Sequence, residues 1–291
     1  MKPMSALIAI GAVALAACGQ VGGSAVVPTP TPIAPPTAAL HAWASFPAAA
    51  NPRPIVWLAN PSPTNGYGTG ANKMEAYCHK FALGGTLPST VPLQGSVLWP
   101  DGSSVTYGGM SAADAFGRLS AGTPVADPQC TSYPPLVING ARLSTFEFVT
   151  DRGKALMNAW LFSAVGMDGE LAYPAITPAA FWTGGILASD AGNTATLSPD
   201  GRSLTYTFYG APSAPGPCGA DYRSVSAESQ TAVAIALQEL PHAQSGQLVA
   251  CPAVAQQRTL VVPLTQALGG RVVVDATGNV IQVCPSTKPA C

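Results

Sequence analysis

The chain has 291 residues, of which 9% are charged and 47% hydrophobic, and its formal net charge is −1. With so few basic residues it has nothing to attract a nucleic-acid backbone. Its 30 glycines and 29 prolines would suit disorder, but the apolar fraction is large enough to bury a core, so the composition implies a folded, loop-rich protein.

The N-terminus carries Lys2 and then an apolar run from Ala6 to Ala17, too short to span a bilayer as a helix. The run closes on Leu15, Ala16, Ala17, Cys18 and Gly19, which resembles the lipobox, where a cysteine beside small residues is acylated before cleavage in front of it. The expectation is a lipoprotein signal peptide over 1–17 and lipidation of Cys18, so that the chain is exported and reaches the membrane through that lipid. Cleavage there leaves 274 residues, enough for one large or two ordinary domains, with 12 basic against 14 acidic side chains.

Residues 18–39 are rich in Gly, Ser and Ala and then in proline (Pro28, Pro30, Pro32, Pro35, Pro36), a composition that predicts an extended polyproline-like tether. The glycine-spaced run Gly66, Tyr67, Gly68, Thr69, Gly70 matches neither phosphate-cradling pattern and predicts a flexible loop. Met74, Tyr77, Cys78 and Phe81 recur at helical spacing and predict an amphipathic helix over Asn72 to Phe81, stopped by Gly84 and Gly85. A second, shorter helix is expected to start at Ser111, with Asp114 completing a capping-box variant and Phe116 and Leu119 facing inward.

Alternation then predicts strands through Phe146, Phe148 and Thr150, through Leu156, Asn158, Trp160 and Phe162, and through Leu171, Tyr173 and Ala175. Turns at Asp151-Arg152-Gly153 and Met167-Asp168-Gly169 join them into an antiparallel meander. Further strands are expected near Leu204 to Tyr209, Leu260 to Leu264 and Arg271 to Ala276. Thr231 to Leu240 is ambiguous, because Val233, Ile235 and Leu237 alternate while the Ala and Gln content and Pro241 also suit a helix. One phrase occurs twice, Pro100-Asp101-Gly102-Ser103-Ser104-Val105-Thr106-Tyr107 and Pro199-Asp200-Gly201-Arg202-Ser203-Leu204-Thr205-Tyr206, and predicts two hairpins. The copies lie 99 residues apart, too far for propeller blades.

Besides Cys18 there are six cysteines, Cys78, Cys130, Cys218, Cys251, Cys284 and Cys291, an even number that predicts three disulfides in an oxidising compartment. Fifteen pairings are open. Consecutive pairing, Cys78 with Cys130, Cys218 with Cys251 and Cys284 with Cys291, is the expectation. No cysteine pair has zinc-ribbon spacing and no histidine pair shares a helical face, so neither a metal site nor a cofactor is expected.

Catalytic chemistry finds little support in these residues. Gly109-Met110-Ser111-Ala112-Ala113 lacks the second glycine of a nucleophile elbow, and helix capping accounts better for Ser111. The three histidines, His41, His79 and His242, read as a solvated loop residue, a half-exposed helix residue and another loop residue. The acidic pairs Asp168 with Glu170 and Glu147 with Asp151 read as solvated turn residues. Trp43, Trp57, Trp99, Trp160 and Trp182 remain as candidates to line a sugar or lipid groove, with Trp160 assigned to the core by its strand position.

Several phrases together resemble uncharacterised exported proteins and lipoproteins of actinobacterial type. They are Trp43, Phe46, Pro47 and Arg53 to Val56; Thr150 to Gly153 leading to Ala159 to Phe162; Cys218 to Tyr222 with Cys251, Arg258, Thr259, Pro263 and Leu264; and Leu268 to Arg271. The resemblance implies an exported fold with a cysteine pair in its C-terminal part and carries over no catalytic residue.

The sequence therefore predicts a mainly β (α+β) fold of antiparallel sheets with one or two short helices, disulfide-stabilised. Its expected parts are an N-terminal domain over 40–185 and a C-terminal β domain over 186–291. The function it suggests is a membrane-anchored, non-catalytic envelope lipoprotein that binds a ligand or an envelope protein. An envelope hydrolase and a structural surface spacer are the alternatives.

Overall fold

A computed structural model describes residues 33–58, 63–121, 127–183, 193–216, 218–242 and 251–288. The expected signal peptide, Cys18 and most of the tether lie outside the described residues, as does Cys291 and with it the expected pair with Cys284. Among the described residues the fold is mainly β with three α-helices. Among the described residues no helix is long and apolar enough to cross a membrane.

The first helix, α1 (Thr37–His41), takes up the end of the expected tether. Behind it come α2 (Gly70–Tyr77) and six strands, β1 (Phe81–Leu83), β2 (Gln94–Leu98), β3 (Ser104–Gly108), β4 (Leu136–Thr150), β5 (Gly153–Ala164) and β6 (Glu170–Pro174), with α3 (Ala112–Ser120) between β3 and β4. The strands form one sheet in the order β1-β4-β5-β2-β3. On its other edge β5 pairs with β2 at Leu156 and Met157 and with β6 from Ala159 to Ser163, so two strands share that edge. The meander β4-β5-β6 is antiparallel throughout, as the short turns between its strands require.

β5 shows why alternation fades in its second half. Ala155, Met157, Ala159 and Leu161 point to one core, while Trp160, Phe162 and Ala164 point to another beneath α3. Leu156, on the same face as Trp160, is exposed because the cover by α3 does not extend that far.

The remaining strands are β7 (Thr194–Leu197), β8 (Ser203–Gly210), β9 (Ala220–Glu228), β10 (Ala232–Pro241), β11 (Gln256–Pro263), β12 (Val272–Asp275) and β13 (Gln282–Pro285). They make a three-stranded sheet, β12-β10-β9, packed on a four-stranded one, β11-β8-β7-β13. Val233, Ile235 and Val273 meet Leu204, Tyr206, Phe208, Val262 and Val283 between the two sheets. The ambiguous segment is thus a strand. Its alanines, Ala232 and Ala234, face the other way, where Trp43, Phe46, Val56 and Leu58 of the N-terminal segment cover them. Small side chains on that face let the Trp43 ring sit fully buried, with its indole N–H donating to Gly278 O at 2.9 Å.

The backbone departs from the sequence expectation in several places. Among the described residues three ladders are parallel, β1 with β4, β10 with β12 and β13 with β7, because each joins strands distant along the chain rather than hairpin neighbours. A third short helix, α1, escapes the count because five residues are too few to show periodicity.

The expected helix over Asn72 to Phe81 is shifted. It begins at Gly70, where Thr69 accepts from Asn72 N, and ends at Tyr77. The stop is a Schellman turn: Lys80 N donates to Glu75 O, His79 N donates to Ala76 O, and His79 itself takes φ of 51°. Phe81 belongs to β1, and Tyr77 is exposed while Asn72, Glu75 and Cys78 are buried. The glycines at 84 and 85 serve a different purpose, since a Cβ on Gly85 would stand 2.1 Å from Asn139 O on the neighbouring strand. The 66–70 run leads into α2 and is exposed over 68–70, with Gly68 lying against the 166–168 turn.

Ser111 caps α3 as expected, accepting from Asp114 N at 3.0 Å. The repeated phrase forms two matched hairpin turns, with Gly102 and Gly201 at φ of 86° and 71° and with Asp101 and Asp200 each accepting from the backbone N–H two residues on. Two disulfides, Cys78–Cys130 and Cys218–Cys251, join the residues the sequence paired, with S–S separations of 1.98 and 2.05 Å.

Candidate functional site

The residues with a chemical claim in the sequence go to separate places. The Ser111 hydroxyl is committed to Asp114, donating to its Oδ2 at 2.6 Å. His242 sits on the sandwich, where Nδ1 is 3.1 Å from Ala214 O and Nε2 is 3.2 Å from Asp221 Oδ2. Glu170 pairs with Arg142, Glu147 is exposed, and Asp151 is buried against Arg53, so neither acidic pair lines a common cleft. Asp151 is therefore no solvated turn residue: the turn presses its carboxylate into the seam between the two sheet modules. Among the described residues no cluster of His, Cys, Asp or Glu is placed to hold a metal ion.

Of the five tryptophans, Trp43 and Trp160 are core, the latter donating to Met110 O at 2.8 Å. Trp99 lies beneath Arg152. Trp57 and Trp182 come together in a cleft of about 330 Å³ that also takes in Tyr173, Phe181, Met110 and Arg118. Its walls come from both cores of the six-stranded sheet and from the N-terminal cover of the sandwich.

Each wall has a local cause. Trp57 is held where the 53–58 segment bridges to Thr150, and Ile55 accepts from Trp182 N at 2.8 Å while donating to Ala180 O at 2.8 Å. This short pairing lays Phe181 and Trp182 alongside Trp57. Tyr173 is the penultimate residue of β6, and Met110 is pinned by its N–H to Ala175 O, at 3.1 Å, and by the Trp160 indole on its own carbonyl. Trp57 makes edge-to-face contacts with Phe148 at 5.8 Å and Tyr173 at 5.4 Å, a geometry that fixes its ring plane.

The polar content is sparse. The indole N–H groups of both Trp57 and Trp182 are buried with no hydrogen-bond acceptor. Arg118, exposed on α3, supplies the cation at the rim. Burial pushes the Tyr173 phenol above its ordinary value, with Arg118 opposing, so the phenol stays a neutral donor at pH 7. Such a site can stack a flat or apolar face and donate hydrogen bonds to its oxygens. It holds no nucleophile and base in contact.

Three kinds of comparison then bear on the chain. No protein-family model, curated protein or solved structure matches it.

The sequence named Trp57 and Trp182 among its aromatic candidates but gave no hint of Met110, Arg118 or Phe181. These residues are gathered from segments far apart along the chain, and no spacing within a single element connects them. The buried state of Arg53 and Asp151 was equally invisible, since each looked like an ordinary residue near a turn.

Proposed function

We propose that this protein is an extracytoplasmic lipoprotein, anchored through lipid on Cys18, that binds a small envelope ligand in the aromatic cleft without transforming it. The observation that carries the binding reading is the pair of buried, unpartnered indole N–H groups set among edge-to-face and tilted aromatic rings. A buried donor without an acceptor costs free energy that a ligand oxygen would recover. The ligand class is one with an apolar face and oxygen acceptors, such as a pyranose ring of an envelope glycan. The anchoring reading rests on the leader and the Leu15 to Gly19 motif, and a ligand-binding domain on a proline-rich tether suits display away from a membrane surface.

Two measurements test the halves separately. Titrating the chain with neutral hexose and N-acetylhexosamine oligosaccharides should give a saturable change in tryptophan emission. Trp57→Ala should weaken that binding by on the order of tenfold, the loss of roughly one stacked ring. A flat titration across the panel would remove the glycan assignment. Mass spectrometry of the protein from its native host should find acyl chains on an N-terminal Cys18, and an unmodified thiol there would remove the anchor.

A further inference from the structure

A second cleft, of about 180 Å³, lies on the seam between the β4–β5 turn and the sandwich, away from the aromatic cleft. Its walls include Trp99 and Asp101 of the first hairpin turn, Arg152 of the β4–β5 turn, and Leu268, Arg271 and Cys284 of the sandwich. Three arginines line it, Arg53, Arg152 and Arg271. Two are already neutralised: Arg53 Nη2 lies 2.5 Å from Asp151 Oδ2, and Arg271 Nη1 lies 2.6 Å from Glu228 Oε2.

Arg152 is different. Its guanidinium lies over the Trp99 ring, 3.5 Å from the centroid, which holds the plane in place. Its Nε and Nη2 are buried and have no hydrogen-bond partner. These two nitrogens form one edge of the guanidinium, with N–H bonds running parallel, the fork that a carboxylate accepts with both oxygens. Burial pulls this guanidinium down to about 10, with Arg53 adding to the effect and Asp151, Tyr107 and Asp101 opposing it, so it is still cationic at neutral pH.

We propose that this seam cleft is an anion site that receives the carboxylate of a small monoanionic ligand on the Nε and Nη2 edge of Arg152. Asp151 and Glu228 answer Arg53 and Arg271, and Asp101 lies on the same wall, so among the described residues of the cleft Arg152 is the cation not held in an ion pair. A single unpaired guanidinium favours one negative charge over the two of a phosphate dianion. Asp101 does not fill the fork itself, because its Oδ1 is occupied by the Ser103 amide at 2.8 Å and the Ser103 hydroxyl at 2.6 Å.

The test uses acetate and propionate at constant ionic strength, with inorganic phosphate as the comparison; neither carboxylate has a ring to stack in the aromatic cleft. Either acid should saturate the protein and move the Arg152 Nε–H resonance, identified in the unsubstituted chain by the ring-current displacement that Trp99 imposes. Arg152→Lys, which keeps the charge and removes the fork, should weaken carboxylate binding at least tenfold. An unmoved Nε–H resonance overturns the site, and the unsubstituted protein answers this even where the variant does not fold. Equal binding by Arg152→Lys overturns the fork. Tighter binding of phosphate than of acetate overturns the monoanion assignment.

Discussion

The two β modules solve the same problem in different ways. The C-terminal sandwich places its bulky residues between two sheets and keeps alanines, Ala232 and Ala234, on the outer face of its three-stranded layer. That face is then closed by Trp43 and Phe46 from the far end of the chain. The six-stranded sheet instead covers its faces piecemeal, with α3 on one side and the 53–58 and 178–181 segments on the other. Cover made of separate pieces leaves gaps where the pieces meet, and the aromatic cleft lies at such a meeting. The sandwich is the more completely closed scaffold and the sheet the more open one.

The sharpest way to break this contrast is to remove the lid of the sandwich. Trp43→Ala should cost about 4 kcal/mol or more, since it deletes a fully buried ring and leaves Gly278 O without its indole donor. Denaturant unfolding gives the size of the loss, and hydrogen exchange gives its place: protection should fall at Val272 to Val274 in β12, distant in sequence, before it falls in β4. Equal loss in both sheets would mean that the modules do not differ in this way.

Next in size is the seam. Arg53 donates through Nε to Gly270 O and through Nη2 to Asp151, and it stacks on Phe46 at 4.6 Å. Gly270 must be glycine, because a Cβ there would lie 2.0 Å from Ala48 O. The Asp151 backbone in turn pairs with Val56 and Val283. Arg53→Met should cost about 3 kcal/mol by stranding a buried carboxylate. It should also strip exchange protection from the amides of Val283 and Asp151; unchanged protection at both would show that packing alone joins the modules.

These two sites also mark where the sequence was legible. The meander, the two matched hairpin turns, the Ser111 cap and two disulfides could all be read, because each depends on residues near one another or, for the cysteines, on consecutive members of a short series. Trp43 and Arg53 could not be given partners, since Gly278 and Asp151 lie hundreds or scores of residues away and no local pattern encodes such contacts. The α2 boundary failed for a related reason. Its stop is a left-handed His79, a conformation seldom taken by residues other than glycine, so the glycines downstream drew the boundary too far. In the aromatic cleft the tryptophans were visible as types, but their convergence was not.

The smallest expected effect concerns charge within the sandwich and separates it from the seam. Glu228 accepts from Arg271 Nη1 at 2.6 Å and from Thr265 N at 2.8 Å. Partial burial alone would raise its carboxyl, but the bonds from Arg271 and Thr265 outweigh that and hold it below its ordinary value of 4.5. A carboxyl depressed on folding contributes stability that is fully present above the unfolded value and is lost as pH falls through the folded one. Glu228→Gln should therefore cost on the order of 1 kcal/mol at pH 7 at this rim position. The gap between the two proteins should begin to close below pH 4.5 and vanish once Glu228 is protonated in the folded state. Urea midpoints at pH 7, 4 and 2.5 measure this. A gap that stays constant with pH would assign the role of Glu228 to shape rather than to charge, leaving Arg271 held by its bonds to Gln266 O, Ala267 O and Leu268 O alone.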